Sequence, residues 1–189
     1  MSRKTLRCSI AIAAVLLAGV IAAPVAQAQT QPGSWSMAAP LPVPRTEMKS
    51  ATIDGKIYLV GGSWDEALEP ERISNYTTGF LTEYDPQTND WRERARAPEG
   101  LTHQAVAALD GKLYVLGGFG GSRHTRSSPG AYVYDPATDD WETLPSPPSG
   151  TQGGGVMVAV GGMIHTIGGR AMGDGEGSSV FADHNVYDP

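Results

Sequence analysis

Cysteine is almost missing from this sequence. Among its 189 residues the single cysteine is Cys8, close to the N-terminus. That end is predicted below to be a leader that is removed on export, so the mature chain would have no cysteine. A chain of this kind forms no disulfide, uses no catalytic thiolate and binds no metal through sulfur.

Residues 1–28 have the pattern of a secretory signal peptide of the bacterial type. Arg3, Lys4 and Arg7 give a positive start, residues 10–23 form an apolar core, and Ala26-Gln27-Ala28 resembles a small-residue cleavage site. We therefore predict cleavage after this tripeptide and a periplasmic or secreted mature chain. The alternative is a retained membrane anchor, but the apolar stretch is short for a membrane span and ends at a cleavage signal. We expect no membrane insertion after the leader is removed.

Basic residues are scarce. The chain has 14 Lys and Arg against 20 Asp and Glu, for a formal net charge of −6. The predicted leader contains three of the basic residues and none of the acidic ones, so the mature chain is more acidic still. An acidic chain does not bind nucleic acid or anionic lipid by charge alone, and we expect no nucleic-acid partner.

Sequence motifs of catalysis are missing too. The chain has no nucleophile elbow, phosphate-binding loop, dinucleotide fingerprint or sequence cluster of metal ligands. The segment Asp174-Gly175-Glu176-Gly177 resembles part of a calcium loop, but its oxygen spacing fits no full motif. We therefore expect no metal and no cofactor, and we favour a protein without enzymatic activity.

No stretch after the leader has a helical period. The apolar runs are short, rich in Val, Ile and Tyr and separated by turn residues, which is typical of strands. Asp54-Gly55, Asp110-Gly111 and Gly161-Gly162 supply the positive φ of a tight hairpin turn. Asp-Pro-x-Thr-x-Asp-Trp, at 85–91 and 135–141, indicates a second turn. In the opening unit these signals predict strands at 48–53, 56–61, about 80–84 and about 90–94.

What the sequence does have is a repeat with a period of just over fifty residues. An apolar run that ends in Gly-Gly recurs three times, Tyr-Asp-Pro follows each time, and a tryptophan follows the first two. The repeated residues are Gly61, Gly62, Gly117, Gly118, Gly168 and Gly169, then Tyr84, Tyr134 and Tyr187, then Trp91 and Trp141. An unmatched Trp35 precedes them and is read as a lone fourth strand.

In combination these residues resemble the kelch family. The resemblance implies an all-β fold, a kelch-type β-propeller with four-stranded antiparallel blades, of which residues 29–189 supply about three. The repeats span about 35–90, 91–140 and 141–189, the last incomplete. The resemblance also implies that the repeated Gly, Tyr and Trp residues contribute to packing and not to catalysis. Galactose oxidase shares such a propeller, but its copper site needs a Tyr–Cys thioether that this chain cannot form.

Three blades are too few to close a ring, because propellers have about four to eight. One alternative is that further C-terminal blades complete the ring in a longer protein. The other is that two copies form a six-bladed ring, in which the N-terminal strand of one completes the last sheet of the other. In both cases we expect the 29–189 segment alone to aggregate, stay partly unfolded or pair with a second copy.

A binding site is predicted on the face that carries the long loops, at about 63–79, 119–131 and 170–182. The candidate ligand-binding residues are Arg45, Glu47, His103 and Gln152 near the axis, with Trp64, Arg123, His124, Arg126 and Arg170 on the loops. They offer charge and stacking for a carboxylate-bearing or hydroxyl-rich ligand; the alternative is that they are ordinary solvated loop residues. We predict an exported module that binds protein or glycan, with a periplasmic carbohydrate-active enzyme, such as a sialic acid mutarotase or epimerase, as the alternative. Arg45, Glu47 and His103 would then supply its arginine and acid/base pair.

Overall fold

The computed structural model describes residues 33–64, 77–121, 124, 126–150, 152–172 and 179–189. The predicted leader, Arg123 and the segment Asp174–Gly177 lie outside these residues. The chain divides after Ser36 into two units. No helix among the described residues has the length and apolar character needed to cross a membrane.

The unit from Met37 to Pro189 is built from short antiparallel strands. In chain order they are β1 (Lys49–Ile53), β2 (Lys56–Val60), β3 (Leu81–Asp85), β4 (Asp90–Arg94), β5 (Ala105–Leu109), β6 (Lys112–Leu116), β7 (Phe119–Gly120), β8 (Arg126–Ser127), β9 (Ala131–Asp135), β10 (Asp140–Leu144), β11 (Val156–Val160), β12 (Met163–Ala171) and β13 (Ser179–Tyr187). The first sheet has the order β1-β2-β3-β4, the second β5-β6-β9-β10 and the third β11-β12-β13, while β7 and β8 form a small ribbon. The predicted all-β class with four-stranded antiparallel blades is confirmed.

The hairpin turns set the register of every sheet. Ile53 pairs with Lys56 across Asp54-Gly55, and both turn residues have positive φ (49° and 76°). Asp110-Gly111 and Gly161-Gly162 repeat this geometry. A left-handed conformation at both central residues gives a turn whose twist matches that of the flanking strands. These turns therefore place each first strand beside its second strand as the sequence predicts.

The third sheet differs from the prediction at Gly168-Gly169. These glycines do not end a strand there: β12 continues to Ala171, and its pairing with β13 shifts register between Ile167 and Gly169. The shift is a bulge, which bends the strand and lets the ladder resume beyond it. The predicted loop at 170–182 is shorter for this reason, since β13 already begins at Ser179.

Several of the repeated residues lie at contacts within and between the sheets. Trp141 stacks on Tyr134 with ring centroids 5.1 Å apart, and its indole Nε1 donates a hydrogen bond of 2.9 Å to the carbonyl of Ala95 in the connection from the first sheet. Trp91 makes the same bond, of 3.0 Å, to Ala39. A Cβ on Gly117 would overlap the carbonyl oxygen of Gln152, so this glycine allows the close approach of the next connection.

The core lies between neighbouring sheets. Tyr58 and Val60 of the first sheet pack with Leu113 and Tyr134 of the second, and a second cluster joins the second sheet to Ile164 of the third. An apolar cavity of about 350 Å³ also lies between the second and third sheets, beside Pro145 and Tyr187. The first strands β1, β5 and β11 lie next to one another, which is the arrangement of propeller blades around an axis.

The outer face of the third sheet is apolar and exposed. Val156, Val158 and Val160 are 61%, 43% and 57% accessible. The matching residues of the second sheet, Ala105 and Ala107, are buried against the third sheet. Each sheet thus presents the same face to the sheet that follows it, and on the third sheet the described residues leave this face uncovered.

A buried carboxylate holds together the strands of the first sheet. Glu83 of β3 is only 3% exposed and accepts bonds from Lys56 (2.7 Å), Tyr58 (3.0 Å) and Arg94 (2.6 Å). Burial alone would raise the pKa of Glu83, but the hydrogen bonds from these partners outweigh it and hold the pKa below its usual value. The repeat pattern does not predict this network, because the matching residue of the second sheet is Val133.

Trp35 is not in a strand. Residues 33–40 have no regular structure, and the Trp35 side chain is 102% accessible. The prediction of a lone fourth strand is therefore wrong for this chain. A strand forms only by pairing with a neighbouring strand, and residues 33–40 pair with none of the described sheets.

Candidate functional site

The short connections lead into the first strands at equivalent backbone positions. Thr46 exchanges two backbone hydrogen bonds with Ser63, and Thr102 does the same with Phe119. In the third sheet Gly153 exchanges them with Arg170. Ser63, Phe119 and Arg170 are the residues that directly follow the three Gly-Gly pairs. Each Gly-Gly therefore ends beside the connection that enters the same sheet.

The next residue of each connection has a left-handed backbone. These residues are Glu47 (φ 60°), His103 (φ 54°) and Gly154 (φ 71°). The His103 amide donates to the Glu47 carbonyl at 3.2 Å, and the Gly154 amide donates to the His103 carbonyl at 2.8 Å. Main-chain hydrogen bonds thus connect three successive sheets at the point where their first strands meet. We call this place, with the adjoining Phe119 and Arg170, the axial mouth.

Three polar side chains meet at the axial mouth. Nε2 of His124, from the loop between β7 and β8, lies 2.8 Å from Oε2 of Glu47, and Nδ1 of His103 lies 3.8 Å from the same oxygen. The two imidazole rings are 4.9 Å apart, edge to face. All three side chains are partly buried, with 27–31% of each exposed. A carboxylate and two imidazoles in contact can exchange protons, bind a polar ligand or hold a cation.

The surroundings shift the pKa values of this cluster. Burial lowers the pKa of His103 below its usual value; the Glu47 carboxylate opposes this shift, and the charges of His124, Lys49 and Arg170 add to it. Burial raises the pKa of Glu47, but the hydrogen bond and charge of His124 outweigh that, so the net pKa lies below the usual value. At neutral pH the arrangement therefore favours a carboxylate beside a neutral His103.

A cavity of about 370 Å³ adjoins the cluster. Its lining includes His103, Phe119, Arg170 and the backbone of Gly153-Gly154. The guanidinium of Arg170 lies over the Phe119 ring, 5.1 Å from its centroid. The ring of Phe119 also packs against His103 and His124, at 5.6 and 5.7 Å. The cavity thus combines a cation, an aromatic ring and the imidazole of His103.

Arg45 and Gln152 do not join this cluster. The Arg45 guanidinium donates to the Gly61 carbonyl (2.9 Å), the Phe80 carbonyl (3.3 Å) and the Thr82 hydroxyl (2.8 Å), so it is bound within the first sheet. Gln152 is 6% exposed and donates to Asp183 of β13. Arg45 directly precedes Thr46, and Gln152 directly precedes Gly153. The side chains of both residues form hydrogen bonds within their own sheets and do not face the cavity.

The remaining candidates lie at different places. Trp64 packs edge to face on Phe80, with centroids 6.5 Å apart. Arg126 is largely exposed, with a guanidinium nitrogen 3.9 Å from the Glu99 carboxylate. Arg123 is outside the described residues. Of the predicted set, the structure therefore brings together Glu47, His103, His124 and Arg170.

The sequence did not predict the contact of His124 with Glu47. Glu47 and His103 occupy matching positions in two repeats, so a closer alignment of the repeats places them side by side. His124 has no such counterpart, because it lies in the variable segment that differs in length between repeats. The expectation that the chain has no cluster of metal ligands was based on sequence spacing, and these three residues are far apart in sequence.

The comparisons with known proteins agree with this architecture. Kelch motifs match residues 44–98 and 101–148. The kelch-like protein terF of Aspergillus terreus is 35% identical over 170 residues, which cover 82% of this chain and 36% of terF. A kelch repeat and BTB domain-containing protein 12 of Danio rerio is 33% identical over 127 residues, covering 62% of this chain and 20% of that protein. The solved structure of YjhT superposes with a TM-score of 0.65 and 20% identity, over 85% of this chain and 57% of YjhT. The matched part of this chain thus covers about a third or less of the length of terF and of the Danio rerio protein.

Proposed function

Because the chain belongs to the kelch-repeat family, we propose that it is an exported propeller module that binds a carboxylate-bearing group of a protein or glycan ligand at the axial mouth. The observation that carries the proposal is the convergence of Arg170, Phe119 and His103 on one cavity of about 370 Å³. Loops at the end of a rigid β-scaffold are the usual place for such a site.

Each side chain has a distinct part in this binding. Arg170 supplies a planar cation that pairs with a carboxylate, and no acidic partner contacts its guanidinium among the described residues. Phe119 is fully buried, and its ring supports the Arg170 guanidinium and the His103 imidazole beside the cavity. Glu47 and His103 accept and donate hydrogen bonds to hydroxyl or amide groups. Together these groups suit an acidic sugar or an acidic peptide segment.

A titration of the purified protein with an acidic sugar and with an acidic peptide tests the proposal, with calorimetry as the readout. Arg170→Ala is expected to weaken binding of the preferred ligand by about tenfold or more, since a charge-assisted hydrogen bond contributes about 1.5–3 kcal/mol. Arg92→Ala on β4 is the matched control, because it removes an exposed arginine away from the axial mouth. Equal affinities for the two variants would contradict the proposal.

The contact between His124 and Glu47 supports a second candidate, the carbohydrate-active enzyme. A carboxylate 2.8 Å from an imidazole is a geometry that transfers protons. The relevant assay is exchange NMR of the two anomers of sialic acid, which measures mutarotation without a chromogenic substrate. Acceleration by the protein that is lost in Glu47→Gln would favour the enzyme; an unchanged exchange rate would favour the binding module.

A further inference from the structure

The cluster at the axial mouth has the composition of a transition-metal site. Glu47, His103 and His124 each offer one ligand atom, and all three atoms lie within 4.8 Å of one another. We propose that these side chains bind one divalent transition-metal ion, of which Zn²⁺ is the best fit. The proposal does not depend on the proposed function, because the metal alone is the ligand.

The donor set selects this class of ion. Two imidazole nitrogens and one carboxylate oxygen suit Zn²⁺ and other first-row divalent ions, whereas Ca²⁺ and Mg²⁺ prefer sites made of oxygen alone. Two histidines with one carboxylate are also the protein ligands of many catalytic zinc sites, in which a further position stays open to water or substrate. Cysteine is not needed for a set of this kind.

The spacing of the donors is close to what a bound ion requires. Ligand atoms about 2.1 Å from a tetrahedral ion lie about 3.4 Å from one another. Oε2 of Glu47 is 2.8 Å from Nε2 of His124 and 3.8 Å from Nδ1 of His103. The two contacts lie on either side of the tetrahedral value. The two imidazole nitrogens lie within 4.8 Å of each other, so side-chain rotations that bring all three separations near about 3.4 Å would complete the site.

The backbone at these three residues is also unusual. Seven described residues other than glycine have positive φ, and four of them are Asp or Asn in hairpin turns, where this conformation is common: Asp54, Asn89, Asp110 and Asp139. The remaining three are Glu47, His103 and His124. Left-handed backbone at such residues is unfavourable, and residues held in it concentrate at functional sites. The third repeat has Gly154 at the equivalent position, so the first two repeats have a strained residue where glycine fits without strain.

The chain contains its own control for metal binding. His165 and His184 form another pair of imidazoles, with Nδ1 and Nε2 3.0 Å apart, on the exposed surface of β12 and β13. Among the described residues no carboxylate joins this pair to make a third ligand. If two neighbouring imidazoles were enough to bind an ion, this pair would bind as well as the cluster at the axial mouth.

The test uses the full chain without an affinity tag, first freed of metal with a chelator and then titrated with Zn²⁺ against a chromophoric competitor. We expect one ion per chain. Glu47→Gln, His103→Gly and His124→Ala should each weaken the site by about 100-fold or more, since even residues outside the ligand shell change affinity by about 10–100-fold. His184→Ala should leave the affinity within a factor of about two. His103→Gly retains the backbone conformation of the third repeat, so a loss of affinity there does not reflect misfolding; circular dichroism checks this.

Titration with Co²⁺ gives a spectroscopic readout that is independent of affinity. A visible absorption band typical of nitrogen and oxygen ligands should appear with the native chain and with His184→Ala, and be missing in His124→Ala. Absence of stoichiometric binding would overturn the proposal. So would a site that persists in the three cluster variants, or one that His184→Ala removes.

Discussion

From the left-handed backbone at the axial mouth we predict that glycine substitutions there are more stable than alanine substitutions. A protein with glycine inside a strand is normally less stable than the same protein with alanine there, by about 0.5–1 kcal/mol. The reason is that glycine loses more conformational entropy on folding. At His103, with φ of 54°, the order should reverse. A left-handed conformation costs an L-residue roughly 1–2 kcal/mol, and glycine is free of this cost.

Comparison of two variants at one position isolates the backbone contribution. His103→Ala and His103→Gly lose the same imidazole contacts with Glu47, Phe119 and His124, so the difference between them is mainly conformational. Alanine at this position has the left-handed backbone cost of about 1–2 kcal/mol, and glycine has an unfolded-state entropy cost of about 0.4–1 kcal/mol. The difference makes the glycine variant more stable by about 0.5–1 kcal/mol. Glu47 is expected to behave in the same way.

Urea denaturation with chelator present, followed by tryptophan fluorescence, measures the free energy of unfolding of each variant. Ser50 is the control: it is exposed, lies within β1 and has no positive φ, so the Ser50→Ala variant should be more stable than the Ser50→Gly variant. If alanine is as stable as glycine, or more stable, at both Glu47 and His103, the argument from backbone strain fails.

Five further predictions concern the fold and export. Glu83→Gln should lower the free energy of unfolding by about 3 kcal/mol, at the low end of the range for a broken buried ion pair, because one partner is partly exposed. Since the folded pKa of Glu83 is lowered, its contribution is complete above the unfolded pKa of about 4.3 and is lost as the pH falls through the folded value, so native and variant stabilities should converge in acid. Trp141→Ala should cost about 3–5 kcal/mol, and Arg45→Ala about 2–3 kcal/mol, because three hydrogen bonds of its guanidinium are lost. The exported chain should begin at Gln29, as mass spectrometry of periplasmic or secreted protein will show. The chain should also associate through the exposed face of β11, and light scattering should show less association for Val158→Lys.

Four of these predictions have an outcome that contradicts them directly. A stability difference between Glu83→Gln and native protein that stays constant down to the acid transition would show that the carboxylate has no lowered pKa. A small effect of Arg45→Ala would show that its three hydrogen bonds contribute little. Intact Met1 in exported protein would contradict cleavage after Ala28. A cooperative monomer at low micromolar concentration, with unchanged behaviour in Val158→Lys, would show that the apolar face needs no cover.

Most of the fold could be predicted from the sequence, because local turn chemistry determines it. A two-residue turn such as Asp54-Gly55 fixes which residues pair on both sides, so β1 and β2 begin and end within one residue of the predicted bounds. The prediction failed where non-local pairing decides the outcome. Gly168-Gly169 was expected to end a strand, but β13 pairs beyond it and extends the ladder through a bulge.

The site could be predicted only in part, for a similar reason. The repeat places Glu47 and His103 at equivalent positions, and main-chain bonds between sheets bring them together. Arg45 was expected to face a ligand; its guanidinium instead finds acceptors at residues 61, 80 and 82, which adjoin it only in the folded sheet. The path of the loop that carries His124 does not follow from turn signals, so its contact with Glu47 required a structure.

The main-chain bonds at the axial mouth have an evolutionary consequence. The amide of His103 and the amide of Gly154 hold the connections together through the backbone, whichever side chain is present. Glutamate, histidine and glycine occupy the same place in three successive repeats of one protein, which shows that this position accepts different chemical groups without loss of the scaffold. Under the proposed function, a single substitution there would change which ligand the axial mouth binds, and duplication of a repeat would add another position of the same kind. The backbone hydrogen bonds can therefore be conserved during evolution while the side chains at this position change.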